Sequence, residues 1–162
     1  MAENARTSGW EWHSRRDLRD AAAVGDERRR VRDALMTIGV GGRELETATL
    51  VVGELLANVH RHTPGDARTC LALGDEGVVA LVVSDRGPLF DRPSQAAPDD
   101  LGESGLGLVL VEALTGAVRI AADTCGWKRS SVSLPVHARI VQPGFNAPRS
   151  QLRGACTTPT TV

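Results

Sequence analysis

The segment from Glu44 to Arg61 constrains the fold more than any other part of the chain. Leu45, Leu50, Val51, Val52, Leu55, Leu56 and Val59 recur there at helical intervals, so the segment reads as a helix with an apolar face turned to a core. A polar line runs through that face. Glu54, Asn58 and His62 are spaced i, i+4 and i+8 within "GELLANVHRHT". Each step of four turns only about 40° around the axis, so the three form one shallow line bordered by Leu50, Val51, Leu55 and Ala57. Burying carboxylate or amide groups without hydrogen bonds costs several kcal/mol. The line therefore demands partners, supplied either by the fold or by a ligand.

Around this helix the pattern predicts further elements. Residues 1–9 read as a disordered start and "WEWHSRRDL", Trp10 to Leu18, as a short strand. Ala21 to Ile38 reads as a helix with Val24, Val31, Leu35 and Ile38 inward and "DERRR" toward solvent, broken by Gly39, Gly41 and Gly42. Pro64 and Gly65 end the central helix. Strands follow at Ala67–Leu73 and Gly77–Asp85, joined by "GDEG", which suits a hairpin. Arg86 to Ser104 has no periodicity, as expected of a functional or mobile segment. A helix restarts at Ser104, read as its N-cap, and runs to Leu114. Strands at Val118–Ala122 and Ser130–Leu134 complete the pattern. The domain spans 10–136, and residues 137–162 read as a disordered tail rich in Pro, Thr and Gly. Helices flanking at least four hairpin-paired strands predict an α/β (α+β) two-layer sandwich. Its sheet would be mixed, mainly antiparallel, with helices on one face.

Composition narrows the function. A 162-residue chain with a net charge near −1 sets up no field toward nucleic acid or an anionic membrane. With three Trp, two Phe and no Tyr, it has little material for base stacking. The longest apolar run, Val78 to Val83, is too short to span a bilayer, and no signal peptide is legible. Cys70, Cys125 and Cys156 fit reduced thiols, and no histidine pattern suggests a metal site. These features point to a cytoplasmic protein.

Three motifs can carry chemistry. A carboxylate and an amide one turn apart, Glu54 and Asn58, can orient a hydroxyl and ligate a hard cation through oxygen. In "SDRGP", Asp85 ends an apolar strand where it can accept from an exocyclic amine, and Gly87 lets backbone approach a ring; the same residues also make a good turn. "GESGLGL", Gly102 to Leu108, opens a helix whose N–H groups and dipole attract phosphate, or serves as a hinge.

In order and spacing these motifs resemble the GHKL superfamily of ATP-binding domains: gyrase, the heat-shock chaperone, histidine kinases and a mismatch-repair ATPase. The "ELLANVHRH" form and the short length resemble most the anti-sigma-factor serine/threonine kinases. The likeness runs from about Trp12 to Pro135. It implies ATP and Mg2+ as cofactors, with Asn58 holding the metal and Glu54 positioning or deprotonating the attacking hydroxyl. It further implies that Asp85 reads the adenine amine, Gly87 packs near the ring, and Gly105 and Gly107 meet the phosphates. Gly102, Ser104 and Leu106 belong to the same phosphate box, His62 or Arg61 approaches the phosphates, and Arg86 to Ser104 acts as the lid. The implied partners are a sigma factor and its antagonist protein, with homodimerisation through the N-terminal strand and first helix, where Trp10 and Trp12 offer anchors. Regulation of transcription follows. Departures are Val59, where many relatives have Ala, and Pro88-Leu89 in place of a second glycine. The rival readings are a nucleotide-gated binding module without catalysis and a detached histidine-kinase ATP-binding half. The latter lacks a legible phosphoacceptor helix.

Overall fold

The computed structural model describes residues 10–89 and 102–139. The elements are β1 (Glu11–Asp17), α1 (Ala21–Thr37), α2 (Gly42–His62), β2 (Asp66–Leu73), β3 (Val78–Asp85), α3 (Gly102–Thr115), β4 (Arg119–Ala122) and β5 (Lys128–His137). The five strands form one sheet in the order β1-β2-β3-β5-β4, and every pairing is antiparallel. The helices form one layer on this sheet, so the expected two-layer α+β architecture holds, with no parallel pair among the described strands.

The central helix organises the layer. Leu45, Ala48, Val51, Val52, Leu55, Leu56 and Val59 of α2 are buried, and the helix packs on α1, on α3, and over β3 and β5. Alternation in β3 turns Val79, Leu81 and Val83 to the same core, joined by Leu71 from β2 and by Val132 and Leu134 from β5. Burial of each such side chain contributes roughly 1.5–3 kcal/mol. Asp20 caps α1 by accepting from the Ala22 N–H at 2.9 Å. The far end of α2 is tied down where His60 Nδ1 meets the Leu18 carbonyl at 2.8 Å. Val59 lies wholly within this core.

Several details depart from the sequence reading. Glu27, expected on the solvent side of α1, is 1% exposed. It sits one turn from Val24 and Val31 on the inward stripe, accepts from Ser14 Oγ at 3.0 Å, and is flanked by Arg16 and Arg30. Its Oε1 has no hydrogen-bond partner among the described residues. The helix expected from Ser104 begins at Gly102, so Ser104 lies within the first turn and is not the N-cap. β5 starts two residues before Ser130 and continues through Pro135 to His137. A register shift between Val78 and Val79 lets the strand pass the proline, which cannot donate to a ladder. The "GDEG" connection is a 3-10 turn in which Glu76 takes φ +61°. The disordered start expected at 1–9, and most of the tail expected at 137–162 and of the lid expected from Arg86 to Ser104, lie outside the described residues, while His137, expected in the tail, belongs to β5.

Candidate functional site

The polar line on α2 makes no side-chain hydrogen bond among the described residues. Asn58 is 8% exposed, yet its amide makes no hydrogen bond among the described residues. Glu54 is half-buried one turn before it, Leu50 extends the line into solvent, and His62 is exposed in the last turn.

Each end of the line meets another motif. At Glu54 the neighbour is α3: a Cβ built on Gly107 would stand 2.5 Å from Glu54 Oε2, so only glycine admits the carboxylate there. Gly107 is a full turn inside α3, where its N–H is spent in the helix. The backbone N–H groups left without intrahelical partners belong to the turn opened by Gly102, with Gly105 at its edge. Leu106 is exposed beside them. At the other end, Thr63 follows α2, its N–H donating to the Val59 carbonyl at 2.8 Å. Gly87 packs on it so closely that a Cβ would overlap Thr63 Cγ2. Nine residues of helix separate the two junctions, about 14 Å, and Asn58 lies between them.

Asp85 closes β3 and is 1% exposed. Its Oδ1 accepts from the Gly87 N–H at 2.6 Å, and the same oxygen lies 3.3 Å from Lys128 Nζ. Register sets this pair, since Asp85 and Lys128 stand directly opposite across β3 and β5. Both partners are 2% exposed. Oδ2 has no partner among the described residues. Behind Lys128, Trp127 lies between the guanidinium groups of Arg68 and Arg86, 4.1 and 4.3 Å from the ring centre.

Thus the fold brings Glu54, Asn58, Asp85, Gly87 and Gly107 around α2, and leaves His62 on its exposed end. Sequence reasoning missed Lys128 and Thr63. A lone lysine after a tryptophan carries no signal until the β3–β5 register places it against Asp85. Thr63 reads simply as the end of a helix. No group of three or more His, Cys, Asp or Glu side chains that could hold a metal occurs among the described residues.

A helix layer on one face of an antiparallel sheet, with an amide unpartnered among the described residues, a carboxylate and two close-packed glycines along one helix, is the arrangement expected of a nucleotide-binding type of domain. The sequence profile of the histidine kinase-like ATPase domain matches residues 18–128, and the chain belongs to that family. Among solved structures it is similar to the RsbU and RsbW domains of Rv1364c from Mycobacterium tuberculosis, with a TM-score of 0.58 and 22% identity. That likeness covers 84% of this chain and 35% of the other, so the chain spans about a third of that protein's length and shares its fold. No curated protein sequence matches the chain.

Proposed function

We propose that the protein is an ATP-binding regulatory serine/threonine kinase of the anti-sigma-factor type, which phosphorylates a protein antagonist and binds a sigma factor in the cytoplasm. One observation carries the reading: the buried Asn58 amide has no hydrogen-bond partner among the described residues and stands between the carboxylate of Glu54 and the base-side pair Asp85–Gly87. An amide oxygen of that kind suits a hard cation, and Mg2+ held there would neutralise charge on the phosphates.

Each residue then has a task. Asn58 is the metal ligand. Asp85 accepts from the adenine amine through Oδ2, and Gly87 keeps the backbone low beside the ring. The first turn of α3, with Gly102, Ser104 and Gly105, offers N–H groups to phosphate, and Leu106 and Gly107 follow in the next turn. His62 reaches the phosphates from the end of α2. Glu54, held against Gly107, orients the incoming hydroxyl and takes its proton as the phosphoryl group transfers. Positioning and charge neutralisation suffice for this chemistry. A homodimer forms through β1 and α1, where Trp10 and Trp12 pack partly on the core at the sheet edge. Light scattering that returned a monomer would remove that last claim.

The test is calorimetric titration of Mg·ATP into wild type and Asn58→Ala, followed by labelled ATP with a cognate antagonist. Wild type binds and labels, Asn58→Ala does neither, and Glu54→Gln binds without labelling. Nucleotide bound without label on any serine or threonine of the antagonist would remove the kinase claim. One observation favours a second reading, a nucleotide-gated binding module. Leu106, Val109 and Leu110 leave an apolar stripe exposed on α3 beside the site. That reading wins if Glu54→Gln leaves partner binding and its nucleotide dependence intact in an unlabelled system.

A further inference from the structure

Lys128 is a buried ammonium for which the roles above have no use. A lysine at 2% exposure is rare unless paired, and here the pair is the carboxylate assigned to the base. The two donors that reach Asp85, the Gly87 N–H and Lys128 Nζ, both fall on Oδ1, and Oδ2 is left to whatever enters the site. The side chain is thereby fixed in rotation by two contacts, one of them an ion pair. A carboxylate oxygen can only accept, so what it reads in a base depends on where the free oxygen is held.

We infer that Lys128 is a positioning residue for base selection: by holding the Asp85 carboxylate with Oδ2 presented, it makes the site accept a 6-aminopurine and reject a 6-oxopurine. The inference rests on the proposed assignment of Asp85 to the base, and extends it to a residue outside the motifs. A 6-oxo oxygen facing Oδ2 meets like charge and no proton, whereas an amine donates a charge-assisted hydrogen bond. Such a bond is worth about ten- to a hundredfold in affinity.

Calorimetry with ADP and with IDP, which differ at this position of the base, tests it without any turnover. Wild type binds ADP at least about tenfold more tightly than IDP. Lys128→Arg, which keeps the charge, preserves most of that ratio. Lys128→Met lets the ratio fall to within about threefold, chiefly through weaker ADP binding, because the carboxylate is free to turn. Should Lys128→Met fail to fold, Lys128→Thr, whose side chain is too short to hold Oδ1, is expected to show the same fall. A wild type that takes IDP as well as ADP overturns the inference, as does a neutral variant that retains the wild-type ratio. A wild type that binds neither diphosphate overturns instead the parent assignment of a nucleotide site.

Discussion

At Gly107 a single methyl group separates stability from chemistry. Alanine there improves helix propensity by about 0.8–1 kcal/mol, but its Cβ would stand 2.5 Å from Glu54 Oε2. The carboxylate is the far end of a flexible side chain, so it swings aside and the helix stays. Gly107→Ala is therefore expected to hold or raise Tm while the proposed phosphoryl transfer falls at least about tenfold, the cost of misplacing the proposed base. Thermal melts beside a labelling assay check both halves. Gly87 differs, because a Cβ there would overlap Thr63 Cγ2 and approach Asp85 Oδ1 at 2.7 Å. Neither neighbour has room to withdraw: Thr63 closes α2 and Asp85 is held by Lys128. Gly87→Ala is expected to lose about 1–3 kcal/mol in urea unfolding. Thr63→Ser, which removes the obstructing methyl, recovers part of that loss in the double variant. Additive losses would show that the strain lies elsewhere.

The elements themselves were legible in proportion to how local their causes are. α1, α2, β2 and β3 follow from apolar spacing and end within two residues of where Pro, Gly and period place them. Three features did not follow, each for a long-range reason. Glu27 looks like one member of a charged run, and only Ser14 and Arg30 arriving from β1 and the next turn explain its burial. β5 passes Pro135 because β3 supplies a register shift at Val78. Lys128 becomes a site residue through strand pairing alone. β1 is the edge strand, joined to β2 by a forked pair from Arg15 to Asp66 at 2.8 and 3.0 Å. The hydrogen bond from Arg15 first, then its charge and those of Arg68 and Arg86, hold the Asp66 carboxyl below its ordinary value. A carboxyl lowered on folding stabilises above its unfolded pKa, and that contribution is lost as pH falls through the folded value. The pair is half-exposed, so solvent screening keeps the gain small. Urea midpoints of wild type and Asp66→Asn should differ at pH 7 and converge as the pH is lowered toward 3. A gap that persists in acid would mean that the loss comes from packing and not from charge.

Taken together, the junctions make α2 a beam to which two otherwise separate parts are fastened. α3 meets it through Gly107 and Glu54, and the end of β3 meets it through Gly87 and Thr63. A ligand bridging Asn58, Asp85 and the first turn of α3 would contact groups from all three elements at once, so its binding energy should appear as stability of the whole domain. Ligand at a hundred times its Kd adds about 2.7 kcal/mol to unfolding when only the folded chain binds it. Mg·ADP at that excess is thus expected to raise the urea midpoint of wild type by this amount divided by the slope, and to leave Asn58→Ala unmoved under the same conditions. Hydrogen exchange locates the effect: slowed amides are expected in the first turn of α3 and from Asp85 to Gly87 together, while β1 and β4, at the two edges of the sheet, gain only what global stability confers. Protection at α3 without protection at Asp85 would mean that phosphate is held there and the base is not. Equal slowing across every element would mean that the diphosphate stabilises the fold without bridging these three parts.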